Sequence, residues 1–114
     1  MTKFKLLRIY TDENAYVADR KTLEVITSRA RECGLVGLTI LEAMLGFGRA
    51  AQVRRHHVFE SDRSVVIEIV DEEGPLRAFA QSLADMTGIG LVTLENVEVL
   101  FQATAPDPRR PDKP

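Results

Sequence analysis

Val65-Val66-Ile67-Glu68-Ile69-Val70 decides the fold of this 114-residue chain. Five of its six residues are β-branched, in a row interrupted only by the acid Glu68; such a run fits a pleated, half-buried surface. Read at period two, Val65, Ile67 and Ile69 point one way, and Val66, Glu68 and Val70 the other. Both sides of this strand are therefore largely apolar. Immediately after it, Asp71-Glu72-Glu73-Gly74-Pro75 opens a helix, with acids near the positive end of the helix dipole and Pro75 expected at the permitted first position. Leu76, Phe79, Ala80, Leu83 and Met86 recur on one face of that helix, and Gly88 is expected to end it. Residues 91–101 supply the next strand, with a break expected near Glu95-Asn96.

Working back toward the N-terminus, the same order appears once more. Residues 4–10 (FKLLRIY) read as a buried strand, followed by a turn at Thr11-Asp12-Glu13-Asn14. Asp19 is expected as an N-cap, because its carboxylate can accept the free amides of a first helical turn. Leu23, Ile26, Ala30 and Cys33 form the apolar stripe of this first helix, and Gly34 stands where a left-handed residue closes it. Residues 36–45 (VGLTILEAML) read as the second strand. The sum is βαβ twice. Right-handed crossovers then place both helices on one face of a four-stranded antiparallel sheet, the α+β, ferredoxin-like double βαβ arrangement. The second sheet face should alternate toward polar residues in a two-layer subunit. Here it does not, so it is expected to meet another subunit, the alternative being a monomer with an open apolar face.

Composition bounds the rest. The length suits one core; 45% of residues are hydrophobic and 28% charged, as in an ordinary globular domain. Residues 1–102 are expected to form a single domain. Residues 103–114 hold four of the five prolines and no apolar periodicity, so they read as a disordered tail. No run is long enough to span a bilayer and no signal-peptide pattern opens the chain. A lone cysteine excludes an internal disulfide, and the simplest home is the cytoplasm. The formal net charge of -2 argues against nucleic-acid binding.

Chemistry concentrates in two places. Gly46-Phe47-Gly48-Arg49 follows the second strand: paired glycines allow close backbone approach, and their amides beside Arg49 form an anion cradle or simply a tight turn. Residues 49–63 (RAAQVRRHHVFESDR) carry Arg49, Arg54, Arg55 and Arg63 with His56 and His57 against only Glu60 and Asp62. That local arginine excess suits a phosphate, a carboxylate or an acidic partner surface, or is a solvated loop. Adjacent His56 and His57 in an extended chain point to opposite faces, so a metal would need further ligands. Cys33 reads as a small core residue. Glu68 reads either as a functional acid or as an interface acid paired with a neighbouring subunit's arginine, with Arg8 the candidate. An acylphosphatase-like enzyme would need an Arg–Asn pair at a phosphate loop; the only asparagines, Asn14 and Asn96, stand beside no such loop, and no enzyme is expected.

Thr39, Glu42, Gly46, Phe47, Gly48 and Arg49 match the run that leads into the T-loop of PII signalling proteins, with one extra residue between Glu42 and Gly46. The chain resembles still more closely the PII-like family of unknown function (domain-of-unknown-function family 190). It shares that family's Leu6-Leu7-Arg8-Ile9-Tyr10 start, its Gly46-Phe47-Gly48 turn and its ending from Gly90-Leu91-Val92-Thr93 to Val97-Glu98-Val99. The resemblance covers roughly residues 4 to 101. It implies a cytoplasmic homotrimer with small-ligand sites in the clefts between subunits. Thr39 and Val70 would lie against a base, Gly48, Arg49, Gly88 and Gly90 would face the phosphates, and Gly46 and Phe47 would complete the ligand-binding set. The glycine-rich loop of PII is longer and basic, whereas no basic residue occurs here between Met86 and Gln102. That departure counts against a triphosphate and leaves open a smaller anion, an adenine nucleotide such as AMP, ADP or cyclic AMP, or no nucleotide at all. Arg54, Arg55, His56 and His57 would belong to the loop that meets a protein partner, a membrane transporter or channel in PII relatives. The alternative is a CutA-like divalent metal-binding protein using His56 or His57.

Overall fold

A computed structural model describes residues 3–43 and 64–103. Its strands are β1 (Phe4–Asp12), β2 (Tyr16–Val17), β3 (Arg20–Lys21), β4 (Thr39–Glu42), β5 (Ser64–Glu72) and β6 (Leu91–Asn96). The helices are α1 (Thr22–Glu32) and α2 (Glu73–Ser82). Four strands form one sheet in the order β4-β5-β1-β6, every neighbouring pair antiparallel. That is the ferredoxin-like double βαβ order expected from the sequence.

The period-two reading of β5 holds residue by residue. Val65, Ile67 and Ile69 are buried against the helices, while Glu68 is half-buried and Val70 exposed on the opposite face. Leu7 and Ile9 of β1 join Ile67 and Ile69, and Ile26, Ala30, Leu76, Phe79 and Leu83 close the core from the helical side. Burying each large side chain in this cluster removes apolar area from water, the main force favouring the fold.

The ends of the helices depart from the sequence reading. Asp19 does not cap α1. A short hairpin, β2 to β3, intervenes, with Ala18 left-handed at φ 56°, and the cap position falls on Lys21 with no side-chain hydrogen bond. Pro75 sits at the third helical position of α2, not the first; the amide it lacks has no helical partner there either. Gly34 does close α1: at φ +79° it donates to the Arg31 carbonyl at 3.0 Å while Leu35 donates to the Ala30 carbonyl at 3.1 Å. That paired closure turns Leu35 inward and leaves Cys33, expected in the core, exposed. Gly88 lies beyond α2 in the loop that follows it, since the helix ends at Ser82.

Strand limits shift as well. Thr11 and Asp12, read as a turn, belong to β1 and are buried; the turn begins after them, where the Asp12 carboxylate accepts the Asn14 amide at 2.8 Å. Within residues 36–43 only Thr39–Glu42 pair as a strand. The last strand stops at Asn96, where the sequence suggested a break. The tail from residue 104 onward lies outside the described residues. Among the described residues no helix is long and apolar enough to cross a membrane.

Candidate functional site

The loop joining α2 to β6 is held by three threonines. Thr11 Oγ1 donates to the Gly88 carbonyl at 2.6 Å, and Thr22 Oγ1 donates to the Thr87 carbonyl at 3.2 Å. Thr87 Oγ1 in turn donates to the Tyr16 carbonyl at 3.0 Å, tying the β2–β3 hairpin to the same loop. Thr11 and Thr22 are fully buried, so these hydroxyls have no water to fall back on. Gly88 is required where it stands: its φ is +89°, and a Cβ would lie 2.6 Å from the Ala15 Cβ and 2.9 Å from Thr22 Oγ1.

This bonding fixes the direction of two amides. The carbonyls of Thr87 and Gly88 face the threonine hydroxyls, and no peptide bond described is cis. Peptide planarity then sends the amides of Gly88 and Ile89 the opposite way. Successive outward amides make a donor pair suited to an anion. Gly90 is spent differently, donating its amide to the Tyr10 carbonyl at 2.8 Å as β6 begins.

Thr39 and Val70 lie elsewhere. Thr39 is on β4 opposite Glu68, and Val70 on β5 opposite Leu6; both are exposed, on the sheet face away from the helices. The rung Thr39–Glu68–Arg8–Thr93 crosses the whole sheet, so β4 and β6 are three strand spacings apart, roughly 14 Å. Within one chain the structure does not bring Thr39 and Val70 together with Gly88 and Gly90. A small ligand touching both groups would have to lie between two copies. Gly46, Phe47, Gly48, Arg49, Arg54, Arg55, His56 and His57 lie outside the described residues.

Across the face away from the helices, Arg8 is the centre of an ion-pair network within the chain. Its Nε donates to Glu68 Oε2 at 2.9 Å and its Nη1 to Glu95 Oε1 at 2.5 Å. The hydrogen bond it donates to Glu68 raises the Arg8 pKa above its ordinary value, against an opposing effect of burial and with help from the Glu95 charge. This corrects the reading of Glu68 as the partner of an arginine from another subunit: Arg8 of the same chain already holds it, because the register sets the two opposite each other. Leu6, Tyr10, Val66, Val70, Leu41 and Leu91 surround the network on the rungs either side. The second face is thus apolar around one charged cluster, Arg8 and Glu68 on one rung and Glu95 on the next.

Sequence reasoning missed Thr11, Thr22 and Thr87, and also Asp71, whose carboxylate accepts the Val36 amide at 3.1 Å and the Glu72 amide at 2.7 Å. No local signal marks the threonines, whose partners are far away in sequence, nor the bond between Asp71 and Val36, 35 residues apart. Two grooves mark the surface of the described residues. One of about 690 Å³ runs between α2 and β6 over Leu7, Leu76, Leu83, Met86, Ile89 and Val92. The other, of about 750 Å³, lies where residues 96–102 pass Lys3, Phe4 and Lys5. Among the described residues no three His, Cys, Asp or Glu side chains converge as a metal site.

Three similarities bear on this geometry. The family model DUF190, Uncharacterized ACR, matches residues 4–99. A UPF0166 protein of Aquifex aeolicus (strain VF5) is 37% identical over 103 residues, covering 89% of this chain and 97% of that protein. The solved structure of CPII bound to ADP, AMP and acetate, from Thiomonas intermedia K12, matches with a TM-score of 0.62 at 19% identity. That match covers 86% of this chain and 89% of the other, and at such identity it speaks for the fold alone.

Proposed function

Since this chain belongs to the DUF190 family and has a PII-like fold, we propose that it is a regulatory binding protein of the cytoplasm and not an enzyme. It works as a homotrimer whose apolar second sheet faces meet, with a small anionic ligand held in each cleft between neighbouring subunits. The observation that carries this reading is the separation of the two ligand-suited groups. The outward amides of Gly88 and Ile89 stand on one sheet edge and Thr39 and Val70 toward the other, so each is half a site and a neighbour supplies the complement. An adenine nucleotide, AMP, ADP or cyclic AMP, is the ligand proposed first; that CPII was solved with ADP and AMP supports testing this class. Gly46, Phe47, Gly48 and Arg49 follow β4 in sequence and are assigned to the anionic end. Ligand occupancy changes the surface that Arg54, Arg55, His56 and His57 offer to a protein partner, a membrane transporter or channel. The CutA-like metal reading rests on His56 and His57, and no described residue favours it.

The test is calorimetric titration with AMP, ADP, ATP and cyclic AMP, on the wild-type chain and on Arg49→Ala, with sedimentation measured alongside. Micromolar binding of one nucleotide to a trimer, weakened about tenfold or more in Arg49→Ala, supports the reading; a charge-assisted contact is worth about that much. A folded trimer giving no heat with any nucleotide removes the adenine class, and a folded monomer removes the intersubunit site.

A further inference from the structure

On the sheet face away from the helices, one guanidinium serves two carboxylates: Arg8 holds Glu68 at 2.9 Å and Glu95 at 2.5 Å. The register gives the titratable groups that β1, β5 and β6 place on this face as Arg8, Tyr10, Asp12, Glu68, Glu72 and Glu95. Strand β4 adds only Thr39 and Leu41. Arg8 is thus the one base on this face among the described residues of the sheet. Asp12 and Glu72 stand at its two ends, opposite Ser64 and Phe4, and both are acids. Lys5, the other base of β1, lies on the helical face beside Glu73 and Asn96. The cluster at the centre therefore carries one carboxylate more than it has cations.

We propose that covering this face in the assembled protein draws one proton onto the Glu68–Glu95 pair, so that assembly is tighter in mild acid than at neutral pH. In a single chain the side chains of Arg8, Glu68 and Glu95 are 31%, 28% and 50% exposed, and water screens the excess charge. Assembly removes that water and packs Leu41, Val70 and Leu91, exposed in the single chain, around the cluster. A carboxylate in apolar surroundings beside a second carboxylate favours its protonated form. A neighbouring copy does not supply the missing cation. Copies in a closed symmetric oligomer present the same patch, so each brings the same two acids and one base. The proton belongs to the pair and not to either residue alone. The sign follows from linkage: the assembled state binds more protons than the free copies, so association strengthens as pH falls and weakens as it rises. A ligand held between two copies inherits the same dependence. This inference rests on the oligomeric part of the proposed function and adds to it a control by protons.

The experiment is sedimentation equilibrium from about pH 8 to about pH 5 at fixed ionic strength, on wild type, Glu68→Gln, Glu95→Gln and Glu72→Gln. In wild type the concentration at which half the copies are assembled should fall about tenfold or more over that range, as one proton taken up per copy requires. Glu68→Gln and Glu95→Gln should each lose most of that dependence and assemble about tenfold or more tightly than wild type at the alkaline end. Glu72→Gln, on the same face but away from Arg8, should keep the wild-type dependence. His56 and His57 titrate in this range too, but they are unchanged in every variant. A dependence that survives both glutamine substitutions therefore belongs elsewhere and overturns the inference. An oligomer whose association ignores pH also overturns it and leaves the oligomeric reading standing. So does one that tightens with added sodium or magnesium and not with acid, since a cation then fills the place. If the oligomer stays intact at the lowest concentration measurable, its urea midpoint reads the same order, and a wild-type midpoint flat with pH overturns the inference. A monomer at every pH and concentration removes both readings.

Discussion

Arg8 and Glu68 face each other across adjacent strands, their side chains joined at 2.9 Å, and Glu95 reaches the same guanidinium from the other side. One cation is thus shared by two acids on a sheet face otherwise rich in Leu, Val and Tyr. In an isolated chain all three groups keep some contact with water, and such a network contributes little. Covered by another copy it would lose that water, and the balance of charge in this cluster would become decisive.

Removing the cation alone tests this. Arg8→Leu leaves Glu68 and Glu95 repelling each other, so the variant should unfold at lower urea than either Glu68→Gln or Glu95→Gln. Adding both glutamine substitutions to Arg8→Leu should recover most of the loss. Urea denaturation of the four variants, with sedimentation to follow assembly, checks the order; an Arg8→Leu chain as stable as wild type would remove the network's role.

Gly88 and Gly34 are both left-handed, at φ +89° and +79°, yet they differ in what surrounds them. Nothing lies within 4 Å of a Cβ built on Gly34, whereas one on Gly88 collides with Ala15 and Thr22. Gly34→Ala should cost about 1 kcal/mol, the strain of a left-handed residue. Gly88→Ala should cost about 2–4 kcal/mol, strain plus overpacking. Thermal denaturation checks this, the Gly88 variant melting about 4 °C or more below the Gly34 variant. Gly88→Ala should also weaken any ligand held by the amides of Gly88 and Ile89.

Glu73 at the start of α2 accepts a hydrogen bond from Arg77 at 2.7 Å, and that bond holds its pKa below the ordinary 4.5; Lys5 adds to the effect and desolvation opposes it. A depressed carboxylate contributes stability that is present above the unfolded-state value and lost as pH falls through the folded-state value. Wild type should therefore lose stability more steeply than Arg77→Ala when the pH is lowered from 6 to about 3. Melting curves over that range check it, and 1 M salt should shrink the difference, since the pair is exposed.

Cys33 is exposed at the end of α1, so it should react with a thiol reagent in the folded protein at close to the rate of the unfolded chain. Cys33→Ser should change stability by no more than about 0.5 kcal/mol, as expected of a surface position. Protection of the thiol in the native chain would restore the core reading.

Local periodicity was enough to find most of the elements. Val65, Ile67 and Ile69 against Val66, Glu68 and Val70 declared a strand with two largely apolar faces, and Leu76, Phe79 and Leu83 declared the helix behind it. Where a reading depended on a few bonds at an element's end, it slipped: Asp19 was displaced from the cap by a hairpin of only two residues per strand, and Cys33 was turned outward by the closure around Gly34. Neither event changes the hydrophobic pattern, so neither leaves a trace in it.

What the sequence by itself determined is the set of alternations and stripes, and hence a double βαβ sheet with Gly34 and Gly88 at its turns. Those signals act between residues a few positions apart, where the covalent chain dictates geometry. Only the tertiary structure decided that Thr11, 77 residues from Gly88, holds that glycine's carbonyl, and that Arg8, 60 residues from Glu68, claims its carboxylate within one chain. It also decided that Thr39 and Val70 stand apart from Gly88 and Gly90 across the sheet. The reason is strand order: β1 lies between β5 and β6 because two crossovers of one hand put it there, and contacts across a sheet follow that order and not the distance along the chain.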